Sequence, residues 1–426
     1  MTEDFLQYLW KHKKMNINKL KTTKNEDIVL QGVGIHNTNN SGPDFFNALL
    51  IIDGQKWAGN VEIHNKSSDW YIHNHENDTA YDNVILHVVW EEDMDVFRKD
   101  NSVIPTLQIK DYINNDLLVR YKKLFLENKQ KWIRCEKRLP QISRFTLSNW
   151  QERLYLERLE QKSIFIQKLL EDSVNDWEAT LFKLLGKNFG LKVNGDAFLS
   201  LTNSIDFSII RKCRKDVFSL EALFFGQAGF LEKGTEILYA SDLKKEYCFL
   251  KNKFQLDNQG VLPLHFFRLR PSNFPTIRLS QFAMLYFKTP RLFDEVIKAK
   301  DINDFYELFG VNTSSFWENH YTFDKESKTK KKRITKSFID LLLINTIIPL
   351  KFIHARSTGR NSEEEILDLI SQISYEKNSI IDNFKILKVP VENAMHSQAL
   401  IELKNKYCDK KACLKCAIGN KLLNGD

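Results

Sequence analysis

The chain has 426 residues, of which 42% are hydrophobic and 27% are charged, and its formal net charge at pH 7 is +7. This composition excludes a largely disordered chain, and the length predicts two or three domains. The small positive charge permits nucleic-acid binding without requiring it, because such binding depends on a clustered basic face.

The chain shows no pattern typical of a membrane-targeted or secreted protein. Residues 1–14 form an amphipathic pattern, and the most apolar stretch, 339–353, contains Asn345, Pro349 and Lys351. A bilayer span needs about 20 apolar residues, so we predict a buried helix that ends near Pro349. The six cysteines do not resemble a secreted disulfide framework. We expect a cytoplasmic protein with no membrane span.

The first part of the chain is predicted to be a small α+β domain over residues 1–112. A helical pattern covers 3–14, and Asp53-Gly54 is a hairpin signal. Predicted strands cover residues 27–35, 45–52, 57–64, 84–90 and 103–109. Residues 67–83, between the strands predicted at 57–64 and 84–90, leave room for a short helix at most.

Helical periodicity dominates from about residue 113, so we predict a large all-α domain over 113–390. Asn175-Asp176 can cap its second long helix, and Gly226 and Gly229 are expected to allow close helix packing. Residues 391–426 are predicted to form a last helix and a cysteine-bearing tail packed on the helical domain. Predicted helices cover 146–172, 177–189, 195–203, 206–212, 217–230, 242–253, 276–287, 290–298, 301–308, 334–348, 362–374 and 378–384.

Two carboxylates and a histidine are predicted to share one face of the α+β domain. Glu62 and His64 are two residues apart in a strand, so their side chains project to the same side. Asp44 opens the preceding strand, which the hairpin turn folds back beside Glu62. Oxygen ligands arranged in this way suit Mg²⁺ or Mn²⁺, which can activate water for attack on a phosphodiester.

The motifs Pro43-Asp44 and Glu62-Ile63-His64, after a helix and a strand, resemble the PD-(D/E)xK nuclease superfamily. The resemblance implies a restriction-endonuclease-like mixed sheet in which Asp44 and Glu62 bind the metal ion. It also implies that His64 takes the place of the family's lysine, with Lys66 on the same face as a substitute. The family has a substantial helix between its third and fourth strands, and this chain departs from that pattern.

Histidines in the same stretch support a second interpretation. His73 and His75 form an HxH pair, and with His64 or His87 they could bind Zn²⁺ or Fe²⁺. In the structural alternative, His73 and His75 bond to backbone in a polar loop and His87 is a core residue. The stretch is therefore a nuclease-like centre, another metal site or a structural feature.

The whole chain also resembles a bacterial family of unknown function, which implies no activity. The motifs that carry this resemblance run nearly from end to end and are GPDFFNA, GNVEIH, SSDWYIHNH, NVILHVVW, EALFFGQAGFL, FRLRPSNFPTIRLSQFA, INTIIPL and YCDKKACLKCAIG.

Three arginines, Arg268, Arg270 and Arg278, flank a proline-bounded turn. Arginines held on a rigid turn suit phosphate groups, so we predict that they bind nucleic acid. In the alternative, they pair with acidic helix ends between packed helices.

The C-terminal tail carries a chelating pattern of cysteines at Cys408, Cys413 and Cys416, for which Cys135 is the leading fourth ligand. Such ligation suits Zn²⁺ or an iron–sulfur cluster. Some recombination-type PD-(D/E)xK nucleases resemble this arrangement, which implies a [4Fe–4S] cluster. We expect a structural metal that holds the tail on the helical domain; the alternative is reduced cysteines without metal. Other candidates for the fourth ligand are His396, Cys213 and Cys248.

The leading functional hypothesis is a metal-dependent nuclease acting on DNA or RNA. The first alternative is a scaffold that binds nucleic acid or protein without catalysis and contains a structural metal. The second alternative is a histidine-rich, Zn²⁺-dependent hydrolase.

Overall fold

A computed structural model of the chain describes residues 1–38, 40–126, 132–232 and 237–425. The chain forms two compact units, one of Met1–Trp150 with Leu403–Asp426 and the other of Gln151–Glu402. The first contains a mixed sheet and the second is mainly helical, which confirms the predicted α+β fold class. These units change at Trp150 and Leu403, whereas the predicted domains changed after residues 112 and 390.

A mixed sheet preceded by helix α1 (Glu3–Lys11) forms the centre of the first unit. The order of its main strands is β1-β3-β4-β5-β6, and β2 pairs with β3. The neighbours from β1 to β4 are antiparallel, whereas β4, β5 and β6 run parallel. The strands are β1 (Ile28–Gly32), β2 (Ile35–His36), β3 (Phe45–Ile52), β4 (Gln55–Lys66), β5 (Val84–Glu91) and β6 (Thr106–Gln108).

Local sequence signals explain how β3, β4 and β5 are connected. Asp53 and Gly54 have positive φ angles of 47° and 82°, as a two-residue hairpin with primed geometry requires. The parallel step from β4 to β5 contains the short helix α2 (Asp69–Ile72) and two 3₁₀ turns, as the spacing predicted. Trp70 of α2 is 1% exposed and packs in a cluster that includes Val84 of β5.

Helix α3 (Asn115–Phe125) follows the sheet, and the second unit contains most of the remaining helices. Its core is rich in aromatic rings, with Phe282 lying 5.3 Å from Phe182 and 4.9 Å from Phe189 between ring centroids. A short hairpin of β7 (His320–Thr322) and β8 (Lys325–Glu326) was not predicted. The helices are α4 (Arg144–Asp172, which begins in the first unit), α5 (Trp177–Phe189), α6 (Leu191–Asn203), α7 (Phe207–Cys213), α8 (Val217–Gln227), α9 (Leu238–Phe254), α10 (Pro275–Lys288), α11 (Leu292–Lys298), α12 (Ile302–Leu308), α13 (Lys336–Leu342), α14 (Ile348–Ser357), α15 (Glu363–Ser371), α16 (Ser379–Ile386) and α17 (Ala394–Glu402).

The predicted helix end near Pro349 is wrong. A π-helical turn at Leu343–Ile347 joins α13 to α14, and the helical stretch continues to Ser357. Proline removes one backbone donor and crowds the preceding turn, and the wider π turn accommodates that change. Among the described residues, Lys336–Ser357 is long and apolar enough to cross a membrane, although 78% of its most apolar window is buried inside the protein.

The C-terminal segment after α17 belongs to the sheet-containing unit, not to the helical one. It contains a π-helical turn at Leu403–Cys408, a 3₁₀ turn at Cys413–Lys415 and helix α18 (Ala417–Asn424). Helix α18 contacts α3, and the 3₁₀ turn contacts α1. These contacts are between residues far apart in sequence, so sequence patterns did not reveal them.

The two glycines predicted to allow helix packing have different roles. A Cβ atom added to Gly226 would overlap the ring of Tyr247, so α8 and α9 approach closely there. Gly229 instead has a positive φ of 76° just after the end of α8, where glycine is the usual residue.

We expect Gly226→Ala to lower the free energy of unfolding by about 1–3 kcal/mol, because the new methyl group overpacks the contact with Tyr247. Urea denaturation should show this loss. Gly260→Ala is the matched control, because a Cβ atom there meets nothing within 4 Å. Equal stability of the two variants would contradict the proposed close packing.

Candidate metal centre

The hairpin of β3 and β4 brings together the two predicted carboxylates. The Asp44 backbone N–H donates to Glu62 Oε2 at 3.0 Å, and the Ile63 backbone N–H donates to Asp44 Oδ2 at 3.1 Å. Burial, followed by the charge of Glu62, raises the pKa of Asp44 to about 7, and burial raises the pKa of Glu62 to about 8. A cation beside these carboxylates would favour their charged forms.

Two histidines lie beside the other oxygen of Glu62, and a third contacts one of them. Its Oε1 atom lies 3.4 Å from His64 Nε2 and 3.4 Å from His75 Nε2. His73 Nδ1 lies 3.1 Å from His64 Nε2. One potential ligand atom from each of the three histidines lies within 4.8 Å of the other two. The predicted carboxylate site and the predicted histidine site are therefore one cluster, which we call the Glu-His cluster (Glu62, His64, His73 and His75).

The spacing within the Glu-His cluster fits coordination of a single ion. Metal–nitrogen distances of about 2.0–2.1 Å put neighbouring ligand atoms of a tetrahedral site about 3.3 Å apart. Three separations here are 3.1, 3.4 and 3.4 Å, and the three histidine ligand atoms span up to 4.8 Å, so a bound ion would draw the ligands slightly closer together. Within the described part of the chain, His75 Nε2 is buried and has no hydrogen-bond partner. A buried nitrogen of this kind is suited to donate its lone pair to a metal ion.

His87 orients the central histidine of the cluster. It is fully buried in β5, and its Nε2 lies 2.9 Å from His64 Nδ1. If Nδ1 of His64 carries the ring proton and donates it to His87, Nε2 of His64 presents a lone pair to a metal ion. Such a bond to the far side of a ligating imidazole is the usual way in which proteins fix its tautomer.

The cluster is reachable from solvent on one side. His64 is 2% exposed and Glu62 is 5% exposed, so these two residues form the floor. The side chain of His73 is exposed, because it follows the short helix α2. Water can therefore approach the cluster from the His73 side.

Helix α1 contributes two polar residues that sequence patterns did not identify. Gln7 Nε2 donates to Asp44 Oδ1 at 2.8 Å. Burial raises the pKa of Glu3, and the nearby charge of His73 opposes this effect. Only the packing of α1 on β4 reveals these neighbours, although a polar face on a largely buried helix was a weak signal.

Lys66 does not join the Glu-His cluster. Its side chain is 57% exposed, and its Nζ lies 3.9 Å from Asp93 Oδ2. The strand ends at this residue, so its long side chain extends into solvent.

The three candidate arginines lie in different environments. Arg278 is 5% exposed, its NH2 donates to Asn273 Oδ1, and its guanidinium carbon lies 3.5 Å from the ring centroid of Phe338. Arg268 and Arg270 are exposed. This placement favours a structural role for Arg278 and leaves the other two accessible to a ligand.

The four predicted metal-binding cysteines all belong to the first unit. Cys416 is 7% exposed, and Cys135, Cys408 and Cys413 are partly buried. Burial raises the pKa of Cys408, and the neighbouring thiols of Cys135, Cys416 and Cys413 raise it further.

Buried neutral histidines predict a fold that is sensitive to acid. Burial lowers the pKa of His87 to about 3, whereas an unfolded histidine titrates near pH 6.5. As the pH falls below about 6.5, the unfolded state binds the proton first, so this contribution to stability is lost progressively down to about pH 3.

Lowering the pH from about 7 to about 5 should reduce the free energy of unfolding of the metal-free wild type. We expect this reduction to be about 1–2 kcal/mol smaller in metal-free His87→Gln. Glutamine can still bond to His64 but does not titrate. Urea denaturation at several pH values measures the effect, and His265→Gln at an exposed site should retain the wild-type slope. Identical slopes for all three proteins would refute this account of His87.

Comparison with known proteins identifies a family but no activity. A family model described as "Protein of unknown function (DUF2851)" matches residues 3–379 of the 426-residue chain. No curated protein and no solved structure matches the chain. The predicted resemblance to an uncharacterised family along nearly the whole chain is therefore confirmed.

Proposed function

The chain belongs to the DUF2851 family of proteins of unknown function, and we propose that it is a metal-dependent phosphodiesterase that cuts DNA or RNA in the cytoplasm. The Glu-His cluster holds the ion. One observation carries the proposal: Glu62 Oε1 lies 3.4 Å from two imidazole nitrogens, those of His64 and His75. This spacing is that of ligands around one metal ion.

The ligand chemistry favours a transition metal over Mg²⁺. Mg²⁺ prefers oxygen ligands and retains several waters, whereas imidazole suits Zn²⁺ and Fe²⁺, and a carboxylate also suits Mn²⁺. The cluster offers three imidazoles and one carboxylate. We therefore propose Mn²⁺ or Zn²⁺ as the ion.

The residues around the ion have separable roles. The Asp44 N–H occupies Glu62 Oε2, which leaves Oε1 facing the histidines. His87 holds the ring of His64. A bound ion supplies a Lewis acid that lowers the pKa of water. The carboxylate of Asp44, held by Gln7 and Ile63, is a candidate to orient that water or to bind a second cation.

The sheet topology supports a nuclease over other hydrolases. Three successive antiparallel strands, β1, β3 and β4, are followed by β5 parallel to the last of them. This strand order accords with the PD-(D/E)xK resemblance, although the four-residue helix α2 replaces the longer helix that the family has between its third and fourth strands. The two motif carboxylates also meet across β3 and β4.

The three imidazoles favour a second candidate, a Zn²⁺-dependent hydrolase acting on esters or amides. Catalytic Zn²⁺ sites use three protein ligands and an open position for water. His73 at the exposed side of the cluster is consistent with such a position.

The proposal is tested by incubating the purified full-length chain with single- and double-stranded DNA and RNA plus Mn²⁺, Zn²⁺ or Mg²⁺. We expect cleavage with Mn²⁺ or Zn²⁺, weaker cleavage with Mg²⁺, and loss of cleavage in His73→Ala. His265→Ala replaces an exposed histidine of the second unit and should cleave like the wild type.

The outcomes separate the candidate functions. If the protein hydrolyses ester or amide substrates but no nucleic acid, the second candidate replaces the first. If it binds metal and nucleic acid but cleaves nothing, the chain is a binding scaffold and the phosphodiesterase proposal is wrong. Cleavage that is unchanged in His73→Ala would assign the activity to a contaminant or to another site.

A further inference from the structure

A group of four cysteines lies in the first unit and is not used by the proposed hydrolytic site. Cys135 precedes α4, whereas Cys408, Cys413 and Cys416 lie in the C-terminal segment. Burial raises the pKa of Cys135, and the charges of Cys416 and Cys413 raise it further. The pKa of Cys408 is raised in the same way, first by burial and then by the other three thiols.

Side-chain packing independently brings the two segments together. Lys404 Nζ lies 5.4 Å from the ring centroid of Trp132, three residues before Cys135. The rings of Trp150 and Tyr407 pack edge to face at 5.3 Å, and Tyr407 immediately precedes Cys408. These contacts place the segments on either side of Cys135 beside the segment that contains Cys408.

The backbone of the C-terminal segment is shaped around its cysteines. Cys416 occupies the N-cap position of α18, where burial raises its pKa and the backbone N–H groups of Gly419 and Ile418 lower it by a smaller amount. A side chain at Gly419 would overlap the backbone of Cys413. The 3₁₀ turn that begins at Cys413 therefore packs closely against α18, which begins just after Cys416.

Three positive side chains partly offset the effect of burial, which raises the pKa of each thiol. Arg134 lies near Cys413, Lys404 near Cys408 and Arg138 near Cys135, and each of these cations favours the thiolate form. Four thiolates around a metal leave a net negative charge, which nearby cations and backbone N–H donors offset.

We propose that Cys135, Cys408, Cys413 and Cys416 form a second, four-thiolate metal centre that holds either Zn²⁺ or an iron–sulfur cluster. Each thiol releases its proton as it binds the metal. The two remaining cysteines, Cys213 and Cys248, belong to the second unit and are not ligands.

The centre's role is to fasten the C-terminal segment to the first unit. The turn Cys413–Lys415 contacts α1, and α18 contacts α3. Helix α1 in turn carries Gln7, which bonds to Asp44 beside the Glu-His cluster. Metal at the cysteines therefore stabilises the helix that supports the hydrolytic site, without taking part in chemistry.

The test measures metal in the full-length chain carrying His73→Ala, purified without oxygen from cells supplied with zinc and iron. The His73→Ala substitution weakens the Glu-His cluster, so the metal measured is the metal bound at the cysteines. A negative result for the cysteine centre is then distinguishable from a negative result for the proposed function. We expect about one Zn²⁺ per chain, or iron and sulfide with absorbance near 400 nm. Adding Cys135→Ser should abolish this metal, whereas adding Cys248→Ser, at an exposed cysteine outside the group, should preserve it.

A measurement on the unsubstituted thiols keeps the inference testable if Cys135→Ser does not fold. A thiol reagent should modify Cys248 readily and the four cysteines of the group only after a chelator removes the metal. Absence of zinc and iron in the parent protein would overturn the inference. Metal retained in a folded Cys135→Ser variant, or equal reactivity of the four thiols before and after chelation, would overturn it as well.

Discussion

Replacing Glu62 with glutamine is expected to lower metal affinity at the Glu-His cluster and to reduce metal-dependent cleavage by at least about 100-fold. Removing even an indirect partner of a metal ligand typically costs 10–100-fold. Glu62 is a direct candidate ligand, with Oε1 3.4 Å from two imidazoles. The fold should survive, because glutamine can still accept the Asp44 N–H bond.

Glu91→Gln is the matched control for this prediction. Glu91 ends the neighbouring strand β5, and its side chain is exposed. This variant should bind metal and cleave like the wild type. If Glu62→Gln retains wild-type cleavage and Mn²⁺ affinity, the cluster is not the catalytic metal site.

Replacing Arg278 with alanine is expected to lower the free energy of unfolding of the second unit by about 2–4 kcal/mol. A desolvated cation–π contact is worth about 2 kcal/mol, and each hydrogen bond adds about 1 kcal/mol. Arg278 stacks on Phe338 and donates to Asn273 and Gln281 while 5% exposed. Chemical denaturation monitored by circular dichroism measures this loss.

The exposed neighbours of Arg278 give the opposite expectation. Arg268→Ala and Arg270→Ala should change stability by less than about 0.5 kcal/mol, as surface substitutions usually do. If these residues bind nucleic acid, their replacement weakens binding and its salt dependence instead. A stable Arg278→Ala protein with reduced nucleic-acid affinity would reverse the structural interpretation of Arg278.

Local sequence signals predicted the sheet well. The predicted strand at 45–52 coincides with β3, because a nearly continuous apolar run ends at an Asp-Gly hairpin turn. Helix α5 begins at Trp177 after Asp176, whose side chain accepts the Ala179 N–H as the capping signal indicated. Periodicity did not reveal that the helix containing Pro349 continues, since a π turn that accommodates a proline has no periodic signal in the sequence.

The candidate site was predicted only in part, for a physical reason. Strand alternation placed Glu62 and His64 on one face, and their side chains do approach each other. The positions of His73 and His75 depend on the irregular turns after α2, for which no periodicity exists. Glu3 also lies near this region, but it comes from a helix whose docking on β4 depends on tertiary packing.

We propose above that the Glu-His cluster binds one catalytic metal ion. The most direct test of this proposal is anomalous diffraction from crystals of the protein grown with Mn²⁺ or Zn²⁺. We expect a single strong peak within about 2.0–2.3 Å of Glu62 Oε1, His64 Nε2, His73 Nδ1 and His75 Nε2. A protein that cleaves nucleic acid under the same conditions with no ion at these four atoms would contradict the proposal.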